Sequence, residues 1–530
     1  MSNDSSVNSK SGRPETYNGA ETLVATLVDS GVEVCFANPG TSEMHFVSAL
    51  DRIPGMRPVL CLFEGVCSGA ADGYARMTGK PACTLLHLGP GFANSMANLH
   101  NARKSQSPVV NIVGDHATYH ERYDAPLTSN IMGITESISH WTRRPRSPRS
   151  VATDTALAVQ AARMAPGQVA TLVLPADTAW LPAERPAPAL PVFGPSPVSP
   201  DAVEAAARAL SGGKKTAILL RGGALYGPGL AAAGRVAAAT GAVLFCDTFT
   251  QRLRAGAGAP VVERLPYRGK AVLERLGEFE QLLLVGAEPP VSFFAYPDQA
   301  SWLTPEHCDI ITLAHASEDG NAAMVALADA LDAPAKGAVA LLAPPELPAD
   351  GPLTAKDVMR IVAALLLEEA ILTDEGITST LPYSGLLATA APHDYLPLTG
   401  GSIGDILPLS TGVAVAAPDR KVVCLEGDGS AMYTLQALWT QARENLDVVT
   451  IIYANRSYAV LNQELKLVQA EAGGQNALSI LDLHNPSLDW VQLAGGMGVE
   501  AVRTETTKGF ADALASALRQ KGPRLIEAVI

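Results

Sequence analysis

The sequence predicts an α/β fold made of three doubly wound domains, each built on a parallel sheet. The chain has 530 residues, which is more than one hydrophobic core usually organises. Two proline-rich stretches, Pro182–Pro200 and Pro334–Pro352, divide it into three segments of domain size. In each segment, short and almost wholly apolar runs alternate with longer stretches of helical pattern. Strands that apolar are typical of parallel sheets covered by helices on both faces.

The domain boundaries are predicted from these runs. We expect residues 1–15, which are rich in Ser, Asn and Lys, to form a disordered leader. Domains are then expected at residues 16–185, 198–335 and 354–530. The predicted strands are Val32–Ala37, Pro58–Phe63, Ala82–Leu88, Val109–Val113 and Val169–Leu174 in the first domain, Thr216–Leu220, Ala242–Cys246, Gln281–Val285 and Asp309–Leu313 in the second, and Ala370–Thr373, Val422–Leu425, Val448–Tyr453 and Leu525–Val529 in the third.

Bulk composition narrows the classes of function. Hydrophobic residues make up 47% of the chain and charged residues 17%, and no apolar run reaches the roughly 18 residues of a membrane helix. The leader contains no apolar stretch of the signal-peptide kind, and the seven cysteines, which include no CxxC pair, are expected to be reduced core thiols. The net charge of −14 argues against nucleic acid or an anionic membrane as partner. We therefore expect a soluble cytoplasmic protein.

A glycine-flanked aspartate near the C-terminal end indicates a site for a metal-bound diphosphate. Gly427-Asp428-Gly429-Ser430 closes one predicted strand and Asn455 closes another, with 25 residues between Gly429 and Asn455. Glycines let backbone amides approach phosphate oxygens, and the following helix directs its positive N-terminus at the same place. Asp428 and Asn455 offer the hard oxygen ligands that suit Mg²⁺. A GDG sequence by itself also suits a tight turn between a strand and a helix.

This spacing resembles the thiamin diphosphate (ThDP) signature of the decarboxylase and acetolactate synthase family, which runs from GDG to a double Asn. The resemblance implies ThDP as cofactor, with Mg²⁺ bound by Asp428, Asn455 and the backbone carbonyl of Ser457. Ala454 stands where the family has the first Asn. The resemblance extends from Thr16 onward and implies a pyrimidine-binding first domain, a Rossmann-like central domain and a diphosphate-binding last domain. It also implies a homodimer or homotetramer in which the first domain of one subunit meets the last domain of another.

Glu64 is the candidate activator of the cofactor. It follows an apolar run and precedes the small-residue stretch Gly65–Arg76, where a carboxylate also suits capping of a helix N-terminus. The resemblance implies a further role, because family members carry a Glu before a helix reading like GAADGYAR, and that Glu hydrogen-bonds the pyrimidine ring. A partly protonated carboxyl group in apolar surroundings can exchange a proton with the pyrimidine nitrogen and so activate the electron sink that the cofactor supplies.

Two loops of the first domain are expected on the substrate side. The stretch Asn38–Glu43 resembles the NPG loop of the family, and His87 precedes the glycine-rich stretch after the third strand. The resemblance to benzoylformate decarboxylase implies catalytic contacts for Thr41 and His87, with Ser42 beside them in the substrate pocket. Acetolactate synthases do not characteristically carry this histidine. A lone His beside a strand is more commonly a satisfied core residue.

The last domain completes the site that the resemblance implies. Thr378 and Ser379 offer hydroxyls to the diphosphate, and Gly401-Ser402-Ile403 is expected at the aminopyrimidine, with Ile403 as the apolar wedge. The full set of expected cofactor contacts is Glu64, Thr378, Ser379, Gly401, Ser402, Ile403, Gly427, Asp428, Gly429, Ser430, Asn455 and Tyr458. The expected substrate pocket is Thr41, Ser42, His87, Val460, Leu461 and Glu464. Glu464 is unusual for an aryl pocket and argues against an aromatic substrate.

The predicted function is ThDP- and Mg²⁺-dependent decarboxylation of a small-molecule 2-oxo acid, with or without ligation of the activated aldehyde to a second carbonyl. His87 and Thr41 favour a simple decarboxylase of the benzoylformate decarboxylase type. The stretch Asn455–Tyr458 looks more like acetolactate synthase large subunits. Both outcomes remain open at this point.

Two further alternatives come from other classes. The glycine-rich stretch Arg221–Gly227 follows a strand and, in isolation, suits a nucleotide phosphate loop of a flavin or nicotinamide oxidoreductase. It lacks an acidic ribose partner at the expected distance, so FAD is not favoured and an empty Rossmann-like spacer is expected. Ala454 and Glu464 allow a non-catalytic ThDP-binding homologue. The presence of Glu64 and Asp428 argues against this alternative.

Overall fold

The computed structural model describes residues 14–470 and 473–530 and confirms the predicted α/β class. Three sheets, each parallel or almost wholly parallel, follow one another along the chain. The predicted leader, residues 1–15, lies outside the described residues except for its last two positions. Within the described ranges, no helix has both the length and the apolar character needed to cross a membrane. All seven cysteines are buried and form no disulfide.

The first sheet has six strands in the order β3-β2-β4-β5-β7-β6, all parallel, while β1 and β8 form a separate antiparallel pair. The strands of this first segment are β1 Tyr17–Asn18, β2 Val34–Asn38, β3 Arg57–Leu60, β4 Ala82–Leu86, β5 Val109–Asp115, β6 Trp141–Arg143, β7 Val169–Pro175 and β8 Pro182–Ala183. Its helices are α1 Gly19–Asp29, α2 Met44–Arg52, α3 Glu64–Thr78, α4 Leu88–Lys104, α5 Ile131–Thr135, α6 Val151–Arg163 and α7 Ala176–Trp180.

The second sheet has five parallel strands in the order β12-β10-β9-β13-β14. The strands of this segment are β9 Thr216–Leu220, β10 Val243–Cys246, β11 Leu253–Ala255, β12 Glu263–Arg264, β13 Gln281–Val285 and β14 Asp309–Ala314. Its helices are α8 Pro200–Ser211, α9 Gly227–Thr240, α10 Gly269–Leu276 and α11 Gly320–Ala330.

The third sheet has seven strands in the order β11-β16-β15-β17-β18-β20-β19. Its own strands are parallel, and β11 joins from the central segment as an antiparallel edge. These strands are β15 Ala370–Asp374, β16 His393–Pro397, β17 Val422–Gly427, β18 Val448–Ala454, β19 Glu500–Thr504 and β20 Arg524–Val529. The helices are α12 Ala355–Leu365, α13 Ile406–Ala416, α14 Asp428–Ala431, α15 Gln436–Arg443, α16 Ala459–Leu467, α17 Gln475–Ser479, α18 Trp490–Gly496 and α19 Thr507–Arg519.

Helices α3 and α13 pack closely and join the first segment to the last. Small residues make this approach possible, because a Cβ atom on Gly412 would overlap the Ala70 carbonyl oxygen and one on Gly73 would overlap that of Leu409. Asn98 adds a polar bridge, since its Nδ2 donates to the carbonyl oxygens of Gly65 at 2.9 Å and Gly404 at 3.1 Å. The start of α3 and the loop before α13 are therefore held side by side within one chain.

Replacing Gly412 by Ala is expected to lower the apparent Tm. The added methyl group has no room against the Ala70 backbone, and overpacking of this kind typically costs about 1–3 kcal/mol. Gly495→Ala is the matched control, because a Cβ there meets nothing within 4 Å inside helix α18. Thermal melts of both variants measure the difference. Equal melting temperatures would mean that the α3–α13 contact does not require glycine.

Candidate active site

Asp428 and Asn455 lie at the carboxyl ends of the neighbouring parallel strands β17 and β18. Asp428 Oδ1 accepts a hydrogen bond from the Gly429 amide at 2.8 Å, and Oδ2 accepts one from the Arg456 amide at 2.6 Å. The carboxylate thereby joins the two loops that the sequence spacing predicts to be neighbours. Tyr458 packs on the same turn, because a Cβ on Gly429 would lie 2.6 Å from its Cε1. A glycine at position 429 is what allows the ring to approach so closely.

The donor set at this edge fits a hard divalent cation. Asp428 is 3% exposed, and burial raises its pKa to about 6. Asn455 Oδ1 accepts from the Ser457 amide at 2.9 Å and so tightens the turn that carries the third predicted ligand. Within residues 14–470 and 473–530, no group of three or more His, Cys, Asp or Glu side chains could hold a metal by itself. A cation here would take its other ligands from backbone, phosphate and water, as Mg²⁺ commonly does.

The two loops expected around the cofactor lie at the same edge of the third sheet. Thr378 and Ser379 fall in a short 3₁₀ helix, Ile377–Ser379, that follows β15, and Ser379 is buried. The loop after β16 contains Gly401 and Gly404 with φ of +78° and +86°, a conformation that glycine adopts without a steric cost. Asn101 Nδ2 donates to the Ser402 carbonyl at 2.8 Å. Ile403 is half-buried beside it.

Glu375 positions this second loop, and the sequence analysis gave it no role. It is 1% exposed and accepts hydrogen bonds from the amides of Gly404 at 2.6 Å, Asp405 at 2.9 Å and Ile406 at 3.0 Å. These amides belong to the turn that begins α13. Burial raises the pKa of Glu375 to about 7, and the three amides oppose that effect. Glu375 lies between a buried strand and a glycine, which is a local signal for a functional carboxylate. The sequence-based prediction instead gave roles to the hydroxyls of Thr378 and Ser379.

Glu64 begins helix α3, and its side chain is held in the first segment. Its Oε2 accepts from Asn94 Nδ2 at 3.0 Å, and the residue is 7% exposed. Oε1 lies close to Gly91, where a Cβ would come within 3.0 Å. Capping would require a hydrogen bond from an amide of α3 to the Glu64 carboxylate. Within the described residues, no such hydrogen bond is present. The Glu64 carboxylate is therefore held by Asn94 and not by the amides of its own helix.

His87 is paired with a buried carboxylate that the sequence analysis missed. His87 Nδ1 lies 2.8 Å from Glu43 Oε2, which also accepts from the Gly40 amide at 2.7 Å. Glu43 is 2% exposed, and burial raises its pKa against the effects of Gly40 and His87. With Glu43 ionised, Nδ1 donates and Nε2 remains the nitrogen able to meet a substrate. Thr41 and Ser42 form the 3₁₀ turn between Gly40 and Glu43.

Glu43→Gln is expected to lower kcat by about 10-fold or more, because His87 loses the carboxylate that selects its tautomer. Affinity for ThDP and the apparent Tm should change little, since Gln retains an oxygen for the Gly40 amide. Steady-state kinetics and cofactor titration of the same preparation measure both quantities. Glu33→Gln is the control, as Glu33 pairs with Lys80 at the surface. A normal kcat in Glu43→Gln would show that the pair does not serve the reaction.

Glu64 and Asp428 make their hydrogen bonds within separate halves of the chain. Glu64 bonds to Asn94 of the first segment, whereas Asp428 bonds to the amides of Gly429 and Arg456. Among the described residues, no hydrogen bond or ion pair links the two carboxylates. The first segment instead contacts the last one at the loop before α13, where Asn98 and Asn101 donate to the Gly404 and Ser402 carbonyls.

Helix α16 carries Val460, Leu461 and Glu464, which the sequence predicts to lie on the substrate side. Val460 is half-buried and Leu461 is 43% exposed. Glu464 does not stand free, because Arg268 Nη1 donates to it at 2.5 Å and the Tyr296 hydroxyl at 2.8 Å. Both partners come from the central segment. The charge that argued against an aryl pocket is thus neutralised.

The glycine-rich stretch of the central segment lies at the end of β9. Gly222–Leu225 forms a 3₁₀ helix, next to a cleft of about 610 Å³ between the first and central segments. Arg221 Nη2 donates to the Lys104 carbonyl at 2.9 Å, and Nη1 lies 3.5 Å from Asp247. The stretch therefore contributes to the contact between segments, and the expectation that FAD is not favoured there stays a prediction.

Comparison with known proteins supports the fold and the GDG motif described above. The thiamine pyrophosphate enzyme family matches the chain twice: its N-terminal TPP binding domain matches residues 17–137 and its C-terminal TPP binding domain residues 383–528. A Mycobacterium tuberculosis protein with the provisional name acetolactate synthase large subunit IlvX is 49% identical over 97% of this chain and 99% of its own length. Benzoylformate decarboxylase of Pseudomonas aeruginosa is 30% identical over 94% of this chain and 96% of its own.

A solved structure shows the same fold. The crystal structure of benzoylformate decarboxylase from Polynucleobacter necessarius superposes with a TM-score of 0.83, at 22% identity, over 97% of this chain and 98% of that one. Fold and site together define an enzyme that uses a thiamin diphosphate cofactor. The chain belongs to the thiamine pyrophosphate enzyme family, within the group that includes acetolactate synthase large subunits and benzoylformate decarboxylases.

Proposed function

We propose that the protein uses ThDP and Mg²⁺ to decarboxylate a 2-oxo acid. The observation that carries this proposal is the Asp428 carboxylate, which joins the GDG turn to the Arg456 amide beside Asn455. Asp428, Asn455 and the Ser457 carbonyl would hold the metal. The domain limits proposed for this architecture are residues 16–185, 198–335 and 354–530.

Each remaining residue has a proposed task. When bound, ThDP supplies an electron sink for the carbon–carbon bond next to the carbonyl. Glu64 holds or returns a proton at the pyrimidine, and His87 Nε2, with Thr41, handles a proton at the substrate. Glu375 keeps the aminopyrimidine loop in place through three amides. The proposed diphosphate contacts are Thr378, Ser379, Gly427, Gly429, Ser430 and Tyr458, and Gly401, Ser402 and Ile403 face the pyrimidine.

A second candidate outcome is ligation of the activated aldehyde to another carbonyl. The 49% identical relative with an acetolactate synthase name supports this outcome. The His87–Glu43 pair supports the simple decarboxylase, because a positioned proton donor favours protonation and release of an aldehyde. We propose release of the aldehyde as the main outcome and its ligation to a second carbonyl as the second candidate.

Product analysis tests the proposal. The purified full chain is incubated with ThDP and MgCl₂ and with a panel of 2-oxo acids that includes pyruvate and benzoylformate, and mass spectrometry records the products. Aldehydes alone indicate decarboxylation, whereas acetolactate from pyruvate indicates ligation. Absence of carbon dioxide release from every acid in the panel would overturn the proposed reaction.

We also propose a homodimer or homotetramer located in the cytoplasm. The family resemblance supports an assembly, because it implies that the first domain of one subunit meets the last domain of another. Sedimentation at several protein concentrations, with and without ThDP and MgCl₂, tests this. A monomer that retains full turnover would contradict it.

A further inference from the structure

Four aromatic side chains of the central segment form a contiguous cluster. Ring centroids lie 6.1 Å apart for Phe249 and Tyr267, 5.3 Å for Phe249 and Phe293, 5.5 Å for Tyr267 and Phe293, and 5.0 Å for Phe293 and Phe294. Phe293 is nevertheless 42% exposed and Phe294 53%. We call these four residues the aromatic cluster. Aromatic rings that remain this accessible offer apolar surface to a ligand or a partner.

One side of the aromatic cluster touches the predicted aminopyrimidine loop. A Cβ atom on Gly401 would lie 2.5 Å from Phe293 Cζ, so the ring packs directly on the Gly401 backbone. The rings therefore lie beside the part of the third segment expected to hold the aminopyrimidine of the cofactor.

Residues close to the aromatic cluster in the chain are hydrogen-bonded to helix α16. Arg268 follows Tyr267 in the chain and donates to Glu464 at 2.5 Å and to Gln463 Oε1 at 2.8 Å. Tyr296 lies two residues after Phe294 and donates to Glu464 at 2.8 Å. Burial and the Glu464 carboxylate raise the pKa of Tyr296, which keeps its hydroxyl protonated as a donor. The same two central-segment loops thus contact both the aminopyrimidine loop and α16.

From this placement, and resting on the proposed function, we infer that the aromatic cluster is the wall that selects the substituent of the 2-oxo acid. The central segment is then part of the active site and not a spacer. Phe293, Phe294 and Leu461 are exposed by 42%, 53% and 43%, and they supply the apolar surface of this wall. The class of substrate that fits carries a large, flat, apolar substituent, because such a group stacks on exposed rings and a methyl group does not.

Glu464 is compatible with this class of substrate. An unpaired carboxylate would repel the anionic 2-oxo acid and disfavour apolar groups. Here Arg268 and Tyr296 occupy both carboxylate oxygens. The pair anchors α16 to the aromatic cluster and leaves the lining apolar.

Binding of unreactive substrate analogues tests the inference without depending on turnover. Full-length protein loaded with ThDP and MgCl₂ is titrated by calorimetry with mandelate and with lactate, the 2-hydroxy counterparts of an aryl and a methyl 2-oxo acid. Wild-type protein is expected to bind mandelate more tightly. Phe293→Ala and Phe294→Ala should weaken mandelate by about 5- to 10-fold and leave lactate within about twofold. Phe193→Ala is the control, since Phe193 is 69% exposed in the linker.

The possible results separate the inference from the proposed reaction. An unchanged ratio of mandelate to lactate affinity in both variants overturns the aromatic wall, even if the wild type decarboxylates benzoylformate. A lowered ratio supports the wall, even if no acid is turned over. If Phe294→Ala instead alters the sedimentation coefficient with an unchanged ratio, the exposed rings belong to a subunit interface and the inference is wrong. ThDP affinity is measured in each variant, so that a disturbed Gly401 loop is recognised.

Discussion

Glu64→Gln should retain ThDP and Mg²⁺ binding and lose about 100-fold or more in kcat. The side chain is buried at the start of α3 and held by Asn94 at 3.0 Å, so an isosteric amide can keep the packing and this contact. An amide cannot exchange a proton with the cofactor pyrimidine, however. Loss of a general acid–base group typically costs 10²- to 10⁴-fold.

The measurement pairs steady-state kcat with calorimetric titration of ThDP. Glu136→Gln is the matched control, because Glu136 is an exposed glutamate of the same segment. Unaltered turnover in Glu64→Gln would exclude Glu64 from the reaction. A loss of folding would instead appear in the apparent Tm, and Glu64→Asp would then be the variant of choice.

Asp428→Asn is expected to abolish the dependence of ThDP binding on Mg²⁺ and to weaken ThDP by at least about 100-fold. Residues that only support a metal ligand already cost 10- to 100-fold when replaced, and Asp428 is the only charged member of the proposed ligand set. The amide retains one oxygen for the Gly429 or Arg456 amide but cannot accept from both as the carboxylate does. Electrostatic attraction to the cation is lost as well.

ThDP is titrated with and without MgCl₂ in the variant and in Asp419→Asn. Asp419 is an exposed aspartate in the turn before the same strand, β17, so it controls for the loss of one negative charge. Wild-type affinity in Asp428→Asn would place the diphosphate elsewhere in the molecule.

Thirteen of the strands were predictable because each contains a run of mainly apolar residues. Gln281–Val285 and Thr216–Leu220 are found with the predicted limits. The strands that the sequence did not predict lie mostly at sheet edges or contain charged residues. In His393–Pro397, for example, Asp394 is buried only because Arg252 and Arg420 pair with it at 2.9 and 2.7 Å. Those arginines are distant in sequence, so no local pattern reveals the strand.

The candidate site likewise contains residues that the sequence predicts and residues that only the fold reveals. The GDG turn, Asn455 and Glu64 carry local signals, since each follows an apolar run, and the GDG turn and Glu64 also precede small residues. Glu43 does not stand out, because its role depends on His87, 44 residues away. Glu375 has a local signal, but the amides that it binds lie about 30 residues away. The Arg268–Glu464 pair joins positions 196 residues apart.

The sequence by itself determined the α/β class, the family and the residues around the GDG and Glu64 motifs, because strand hydrophobicity and glycine spacing are properties of neighbouring residues. Only the tertiary structure decided that β11 completes the third sheet, that Glu43 pairs with His87, and that the central segment reaches the Gly401 loop and α16. These features arise from contacts between distant parts of the chain, whose geometry is set when the sheets and the α3–α13 pair pack together.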